Sequence, residues 1–533
     1  VYNYKDLESM YFTQNELINS SDTFLLSKLL NKHYTSIINR LDGIFSFAYY
    51  KSNENKVLLV VDPLGVKPLY YRRDNNRICF SSDFKLLMQN KFTEDMLEPI
   101  GVTSFFALRY STGSKTVING IHKLRPGEYI EIANESIKKT KYWKPVFDVN
   151  YSRKNNEWCD LLDDAFQSSL NDQYAKNLLS AVMLSGGFDS SSLVGGFKHL
   201  KKHISSFSCY YNYDKQITLP TENHNFSVVN HTTDESQFAE QVFRRFDTNH
   251  FSYQITIDDL YKFSSHIINM GEPMASIDAF GHFCLASQIP NEYKVVYSGV
   301  GNDELYGGYT DIYFGKHGYL LNREMGGIDY IRSLSDPQSQ LLDLLDCLVP
   351  EMINIEYMVN EFDCYLNDFK YGKNEKINRS ALMFLTAGDL PWWELKQADA
   401  MYMAFGIEVR VPFLSKKLVD LALQIPSIMK YRPGEDKVIL KQALSRYVPN
   451  DVIKRAKCPS LGFPIEMFRS PWFENLLKEQ LNKNYACFKK NAVKKKLEKV
   501  KGRSILQYYD LCYRYVIFSL WLDMAISGKL FYE

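Results

Sequence analysis

A glycine-rich turn between an apolar strand and an amphipathic helix constrains this chain more than any other feature. The turn is Leu184–Ser192, with the sequence LSGGFDSSS. The preceding run, Leu178–Leu184, is short and mostly apolar, which is typical of a buried, parallel strand. After the turn, apolar residues recur at helical spacing from Leu193 to Leu200. The sequence therefore predicts a strand, a glycine loop and a helix within an α/β domain.

This loop has the properties of a phosphate-binding site. Gly186 and Gly187 let the backbone approach a ligand and point its N–H groups inward. Asp189, Ser190 and Ser191 are favoured at helix starts, and the positive end of that helix would face the ligand. No lysine follows the glycines, so the loop is not of the GxxxxGKS/T type. The alternative is a chance Ser/Gly turn.

The segment SGGFDS also matches the SGGxDS signature of the PP-loop ATP pyrophosphatases. That family cleaves ATP between the α and β phosphates and holds pyrophosphate on this loop. The resemblance implies ATP or pyrophosphate binding by Ser185, Gly186, Gly187, Asp189 and Ser190.

The next predicted strand, Ile204–Tyr211, carries adenine contacts in PP-loop proteins. The resemblance therefore suggests nucleotide contacts by three residues, for which plain sheet core is an equally good interpretation: Cys209, Tyr210 and Tyr211.

A second acidic glycine loop follows another predicted strand, Val295–Tyr297. Ser298 and Gly299 open it, and Asp303 and Glu304 stand at a helix start. Ligands of open α/β sheets bind at the carboxyl ends of the strands. Mg²⁺ on ATP takes only one or two protein carboxylates, and we expect Asp189 and Asp303 to supply them, with Ser298 and Gly299 contacting ATP. Helix capping is the alternative for Asp303 and Glu304.

The first 145 residues are rich in predicted strands, and their motifs resemble class II glutamine amidotransferase domains. The matching segments are Leu41–Ala48, Asp62–Tyr71, Ser81–Asp83 and Leu124–Gly127. That family uses an N-terminal cysteine nucleophile and an Asn-Gly pair for its oxyanion hole, and both precede the segment that Val1 opens here. We therefore expect a fragment or an inactive glutaminase, and no glutamine hydrolysis by the chain as written. Asp22 matches a position that contacts glutamine.

Motifs farther along the chain resemble the synthetase domain of asparagine synthetases. They occur in the family's order: Asp399, Glu408–Leu414, Gly434–Lys441, Lys457 and Gly462–Pro464. The resemblance implies an incomplete Ntn-type αββα sandwich (residues 1–145), a linker (146–156) and a PP-loop, adenine nucleotide α-hydrolase-like parallel-sheet domain with a helical C-terminal part (157–533). It thus predicts an α/β and α+β protein.

The resemblance also implies the chemistry. A substrate carboxylate attacks the α-phosphate of MgATP to give an acyl-adenylate and pyrophosphate, and an amine then displaces AMP. Lys437 matches a family lysine that stabilises charge on the phosphate, and Asp303 is the second candidate catalytic residue. A surface helix lysine is an equally good interpretation of Lys437.

Three departures from the family pattern concern the acceptor. The glutamate that asparagine synthetases carry in the second loop is Val300 here, and β-lactam synthetases have tyrosine there. Ala400 and Ser415 replace a family arginine and aspartate. The order of the motifs makes aspartate the leading acceptor, but these three departures count against it. The alternatives are another carboxylate, such as a sugar acid, a peptide or a β-amino acid, or a catalytically impaired pseudo-synthetase.

Composition limits the partners. Lys+Arg 63 against Asp+Glu 62 gives a net charge of +1, without the basic excess of nucleic-acid binders. Nine scattered cysteines predict free thiols in a reducing compartment, the cytoplasm. No apolar run is long enough to span a membrane. We expect small-molecule substrates (ATP, a carboxylate, glutamine or ammonia), and the sequence allows a homodimer.

Overall fold

The structure is a computed structural model, and it describes residues 1–13, 21–74, 77–88, 92–133, 136–211, 236–309, 344–367, 375–386, 388–432, 434–455, 465–502 and 505–531. The described strands are β1 (Ser46–Lys51), β2 (Lys56–Val61), β3 (Tyr70–Asp74), β4 (Arg77–Ser81), β5 (Ile121–Lys123), β6 (Glu128–Ala133), β7 (Ser136–Lys141), β8 (Leu179–Met183), β9 (Ser205–Tyr211), β10 (His250–Ile255), β11 (Tyr293–Tyr297) and β12 (Glu408–Arg410).

The described α-helices are α1 (Tyr4–Tyr11), α2 (Asp22–His33), α3 (Pro99–Leu108), α4 (Asn155–Gln173), α5 (Phe188–His199), α6 (Ser236–Phe246), α7 (Phe263–Met270), α8 (Ile277–Ala286), α9 (Asn302–Tyr306), α10 (Ile355–Asn367), α11 (Lys376–Thr386), α12 (Leu395–Met403), α13 (Lys416–Gln424), α14 (Ser427–Lys430), α15 (Val438–Leu444), α16 (Asn450–Lys454), α17 (Ile465–Phe468), α18 (Pro471–Asn482), α19 (Ala492–Lys501) and α20 (Ile505–Ser527). A π-helical turn, Leu390–Glu394, leads directly into α12.

Antiparallel sheets organise the N-terminal part of the chain. One has the order β1-β2-β6-β7 and the other has the order β4-β3-β5. Strand β2 is buried on both faces: Leu58 and Val60 pack with residues of α1 and α2, and Leu59 and Val61 pack with Tyr71 of the second sheet. Because successive side chains of a strand point to opposite faces, this one apolar strand joins two layers of core.

A five-stranded parallel sheet with the order β10-β9-β8-β11-β12 organises the rest. Val182 of β8 lies opposite both Ser206 of β9 and Tyr297 of β11, so these strands end side by side. The loops after β8 and β11 are therefore neighbours at the carboxyl edge of the sheet, which is where ligands bind in such folds. The predicted fold class is confirmed.

The predicted elements agree closely with the structure. The strand expected at 178–184 is β8, the one expected at 204–211 is β9, and each is shorter by a residue or two. Helix α6 begins at Ser236, and β10 begins at His250. Helix α4 begins at Asn155, inside the segment predicted as a linker.

A buried cluster of three charges joins the two parts of the chain. Glu272 is fully buried, and its carboxylate lies 2.8 Å from Lys396 Nζ and 3.5 Å from Lys123 Nζ. It also accepts from Ser111 Oγ and from the Val117 backbone N–H. Burial lowers the pKa of Lys123 to about 8, although Glu272 acts in the opposite direction.

Ion pairs at the edge of this interface add to it. Lys67 Nζ lies 2.5 Å from Asp399 Oδ1, and Arg125 lies 2.6 Å from Glu361.

Within the described residues, no helix is long and apolar enough to cross a membrane. Each of the seven cysteines whose side chains the structure describes is free.

Candidate functional site

The first glycine loop folds back on itself and leaves one face open. Gly186 has φ +80, a left-handed conformation that favours glycine, and Gly187 is the N-cap of α5. Ser185 Oγ and Ser190 Oγ lie 3.1 Å apart, and Ser185 is exposed whereas Ser190 is buried. The loop thus presents hydroxyl groups and the positive end of a twelve-residue helix to one place, as a phosphate site requires.

The second loop packs directly on the first. A Cβ at Gly299 would lie 2.8 Å from Asp189 Cβ, so only glycine permits this approach. Asn302 is fully buried and its Nδ2 donates to Asp189 Oδ1 at 2.9 Å. Gly301, with φ +108, is the N-cap of α9, so neither acidic residue of α9 occupies the capping position. The helix-capping interpretation of Asp303 and Glu304 is therefore wrong.

Lys437 connects the two loops. Its Nζ lies 2.5 Å from Asp189 Oδ2 and 2.7 Å from Asp303 Oδ1. The lysine side chain is 4% exposed, whereas the aspartates are 19% and 20% exposed. Burial alone would lower the pKa of Lys437, but the two carboxylates outweigh burial and raise that pKa. Lys437 therefore carries a positive charge between two aspartates, and the interpretation of it as a surface lysine is wrong.

The backbone around Lys437 is also unusual. Lys437 itself has φ +50, which is uncommon for a residue other than glycine. A Cβ at Gly308 would lie 1.8 Å from Asp303 Oδ1 and 2.5 Å from Lys437 Cε. The strained conformation and the close approach of Gly308 together aim the ammonium group at the aspartates.

The remaining predicted nucleotide contacts lie on the second loop and on β9. Ser298 is buried and its Oγ accepts from the Val300 backbone N–H at 3.3 Å, beside Gly299. On β9, Cys209 and Tyr210 are half-buried and Tyr211 is 3% exposed. Tyr211 is therefore part of the sheet core, and the first two remain accessible at the strand end.

Asp22 lies far from these loops in sequence, at the first turn of α2. It is 47% exposed in its side chain, and its Oδ2 accepts from the α-amino group of Val1 at 3.2 Å. Lys457 and the segment Gly462–Pro464 lie outside the described residues.

Comparisons with known proteins match this architecture. The family model described as asparagine synthase matches residues 161–523, and the glutamine amidotransferase domain model matches residues 1–143. The chain belongs to the asparagine synthase family. It shares 25% identity with glutamine-hydrolyzing asparagine synthetase 3 of Bacillus subtilis (86% of this chain, 74% of the relative).

Two other relatives of the family show its range. Asparagine synthetase 1 of Bacillus subtilis is 24% identical (91% of this chain, 78% of the relative), and the amidase chry2 of Gibberella zeae is 22% identical (87% and 76%). Family membership confirms the predicted class of enzyme, a carbon–nitrogen ligase.

Val300, which stands where asparagine synthetases have glutamate, is half-buried and packs against the core. It offers no proton acceptor beside the two loops. Acidic groups are nevertheless close by. Glu304 is 2% exposed and accepts from Tyr309 Oη at 2.8 Å, and burial, with the charges of Glu304 and Asp278, raises the pKa of Glu394 well above its usual value.

Sequence reasoning missed three of the residues that build this site: Asn302, Gly308 and Glu394. Asn302 and Gly308 stand in the second loop. The glycine pattern there indicated close packing, but it did not indicate which side chain would contact Asp189. Glu394 ends the π-helical turn, and such turns often occur at functional sites, but no local sequence pattern indicates this turn.

The aspartates fit a magnesium ion of the kind that accompanies ATP. Within the described residues, no group of three or more His, Cys, Asp or Glu side chains could hold a metal on its own. Two partly exposed carboxylates that converge on one point are nevertheless what MgATP uses, because Mg²⁺ keeps waters and takes phosphate oxygens. Asp189 and Asp303 would hold it.

Proposed function

We propose that this protein forms an amide from a carboxylate by activating it with MgATP, with aspartate as the leading acceptor and asparagine, AMP and pyrophosphate as products. The observation that carries the proposal is the convergence of Lys437, Asp189 and Asp303 at the ends of β8 and β11. It places one cation and two anions beside a phosphate-type loop.

Each residue type suits one part of the reaction. The substrate carboxylate oxygen attacks the α-phosphorus, and the bond to the bridging oxygen of the β-phosphate breaks. Ser185, Ser190 and the backbone N–H groups near Gly186 and Gly187 hold the leaving pyrophosphate through hydrogen bonds and the helix dipole.

Lys437 then serves as an electrostatic catalyst. A fixed ammonium in a buried site stabilises the negative charge that develops on the phosphate and on the tetrahedral intermediate. Ammonia attacks the acyl carbon, the bond to AMP breaks, and the nitrogen loses a proton. Mg²⁺, when bound by Asp189 and Asp303, would neutralise phosphate charge. Ser298, Gly299, Cys209 and Tyr210 are the proposed nucleotide contacts, and Asp22 is the proposed glutamine contact.

A second candidate differs only in the acceptor. Val300 is apolar where asparagine synthetases have a glutamate, which favours a carboxylate other than aspartate. We also place the reaction in the cytoplasm, a proposal supported by the free thiols of the seven cysteines whose side chains are described.

Pyrophosphate release tests the proposal. We expect release from MgATP with ammonium as the nitrogen source when the correct acid is present, followed by mass spectrometry of the amide. Asparagine formed from aspartate supports the leading acceptor, and turnover with another acid supports the second. ATP binding without turnover with any acid tested would contradict both and leave a pseudo-synthetase.

A further inference from the structure

Helix α9 carries Asn302 and Asp303 into the site, yet it is too short to be stable alone. It has five residues between two left-handed glycines, Gly301 and Gly307. Isolated helices shorter than about 12 residues are marginal in water, and the last carbonyl groups of a helix have no partner within it. Contacts at the C-terminal end of α9 therefore decide where its acidic side chains lie.

Lys430, the last residue of α14, makes those contacts. It is fully buried, and its Nζ donates to the carbonyl oxygen of Leu305 at 2.8 Å. The ammonium also lies 5.4 Å from the centroid of the Tyr306 ring. A cation at a helix C-terminus satisfies an orphan carbonyl and interacts favourably with the helix dipole. Lys430 thus holds the end of α9 opposite to Gly301.

A buried hydrogen-bond network fixes Lys430 in turn. Its Nζ donates to Asn378 Oδ1, and Asn378 Nδ2 donates to Glu375 Oε2 at 2.8 Å. The same Glu375 oxygen accepts from the Ser427 backbone N–H at 2.9 Å and from Ser427 Oγ at 2.8 Å. Glu375 is 3% exposed and Asn378 is fully buried. These hydrogen bonds hold the Lys430 side chain in one conformation.

We propose that Lys430 is a positioning residue of the synthetase site, which clamps the C-terminal end of α9 so that Asn302 and Asp303 face Asp189 and Lys437. Lys430 acts through the backbone of α9, because its Nζ donates to the Leu305 carbonyl oxygen. Its effect on the reaction rests on the proposed function, whereas its effect on α9 does not.

The test compares Lys430→Met with wild type by two measurements. Hydrogen exchange of the amides in residues 302–309 should become about 10- to 100-fold faster, since the buried hydrogen bond from Lys430 Nζ to the Leu305 carbonyl oxygen is lost. The magnesium concentration that gives half-maximal ATP binding should rise about tenfold, because Asp303 is no longer held in place. Lys430→Arg, which retains charge and donors, should lie closer to wild type in both.

The matched control is Lys262→Met, which removes another buried lysine. Lys262 Nζ lies 3.0 Å from Asp259 Oδ1, away from α9. It should lower stability and leave the exchange of residues 302–309 and the magnesium dependence unchanged. The inference is overturned if Lys262→Met produces the same two shifts, or if folded Lys430→Met shows neither.

A second variant covers the case in which Lys430→Met does not fold. Asn378→Ala removes one acceptor of the ammonium, and it should produce the same two shifts at a smaller amplitude; wild-type values in folded Asn378→Ala would overturn the inference. Pyrophosphate release by wild type reports separately on the proposed function. If wild type never releases pyrophosphate, that function fails while hydrogen exchange still decides the role of Lys430.

Discussion

Two of the buried three-charge clusters in the described part of the chain have opposite compositions. At the candidate site, one cation, Lys437, lies between two carboxylates. At the interface between the two parts of the chain, one carboxylate, Glu272, lies between two cations, Lys123 and Lys396. The first cluster has a formal charge of −1 and the second has +1.

Exposure separates them as clearly as charge does. The site aspartates are 19% and 20% exposed, whereas the Glu272 side chain is fully buried and its lysines are 5% and 10% exposed. A net negative cluster that reaches solvent can accept a further cation. A closed cluster with its carboxylate satisfied by Ser111 and Val117 can only join elements. The same three-charge design thus serves binding in one place and structure in the other.

The largest expected effect is on the closed cluster. Glu272→Gln would leave two buried ammonium groups without an anion. Removing one partner of a buried ion pair lowers the free energy of unfolding by about 3 to 5 kcal/mol. Urea unfolding should report this loss.

The same substitution at an exposed pair provides the control. Glu240 pairs with Arg244, whose side chain is 72% exposed, and Glu240→Gln should cost no more than about 0.5 kcal/mol. Equal losses of unfolding free energy in Glu272→Gln and Glu240→Gln would contradict the distinction between a closed cluster and a surface pair.

The open cluster should show its loss in the reaction instead. Lys437→Met removes the fixed cation, and we expect pyrophosphate release to fall about 100- to 1,000-fold, as when one group of an oxyanion hole is removed. Lys441→Met, one helical turn away and paired with Asp436, is the control and should keep nearly full activity. A Lys437→Met enzyme with wild-type rates would show that the cluster is structural in both places.

The sequence predicted the parts of the open cluster but not its geometry. Asp189 and Asp303 could be placed because each follows a strand of the same parallel sheet, and parallel strands end at one edge. Lys437 could not be placed, because it lies 248 residues from Asp189 and its orientation depends on a left-handed backbone conformation that no local pattern indicates.

The closed cluster was not predicted at all. Lys123 belongs to β5, Glu272 is the second residue after α7, and Lys396 belongs to α12. Single lysines and glutamates ordinarily lie on the surface. Only the docking of the two parts of the chain makes these three side chains neighbours. The two antiparallel sheets and the parallel sheet were easier, since they follow from local apolar runs and turn residues.

The smallest expected effect is a pH dependence whose presence distinguishes the clusters. The pKa of Lys123 is lowered to about 8, below the ordinary lysine value, so from about pH 8 upward the unfolded chain binds a proton that the folded chain does not. The stability from this group therefore rises with pH in that window and is lost as the pH falls through 8. Relative to Lys123→Met, wild type should gain about 1 to 3 kcal/mol of unfolding free energy between pH 7.5 and 10.

Lys437 should give no such slope. Its pKa is raised, so the stability from its ion pairs is fully present below the ordinary lysine pKa and is lost only as the pH rises through the higher folded value. The difference between wild type and Lys437→Met should therefore stay constant from pH 7.5 to 9.5. Tryptophan fluorescence can follow unfolding in both experiments. In the Lys123 experiment the reporter is close to the substitution, because Lys123 Nζ lies 4.8 Å from the Trp392 ring. A flat difference for Lys123→Met would mean that Glu272 keeps both interface lysines charged, and the two clusters would then differ in exposure alone.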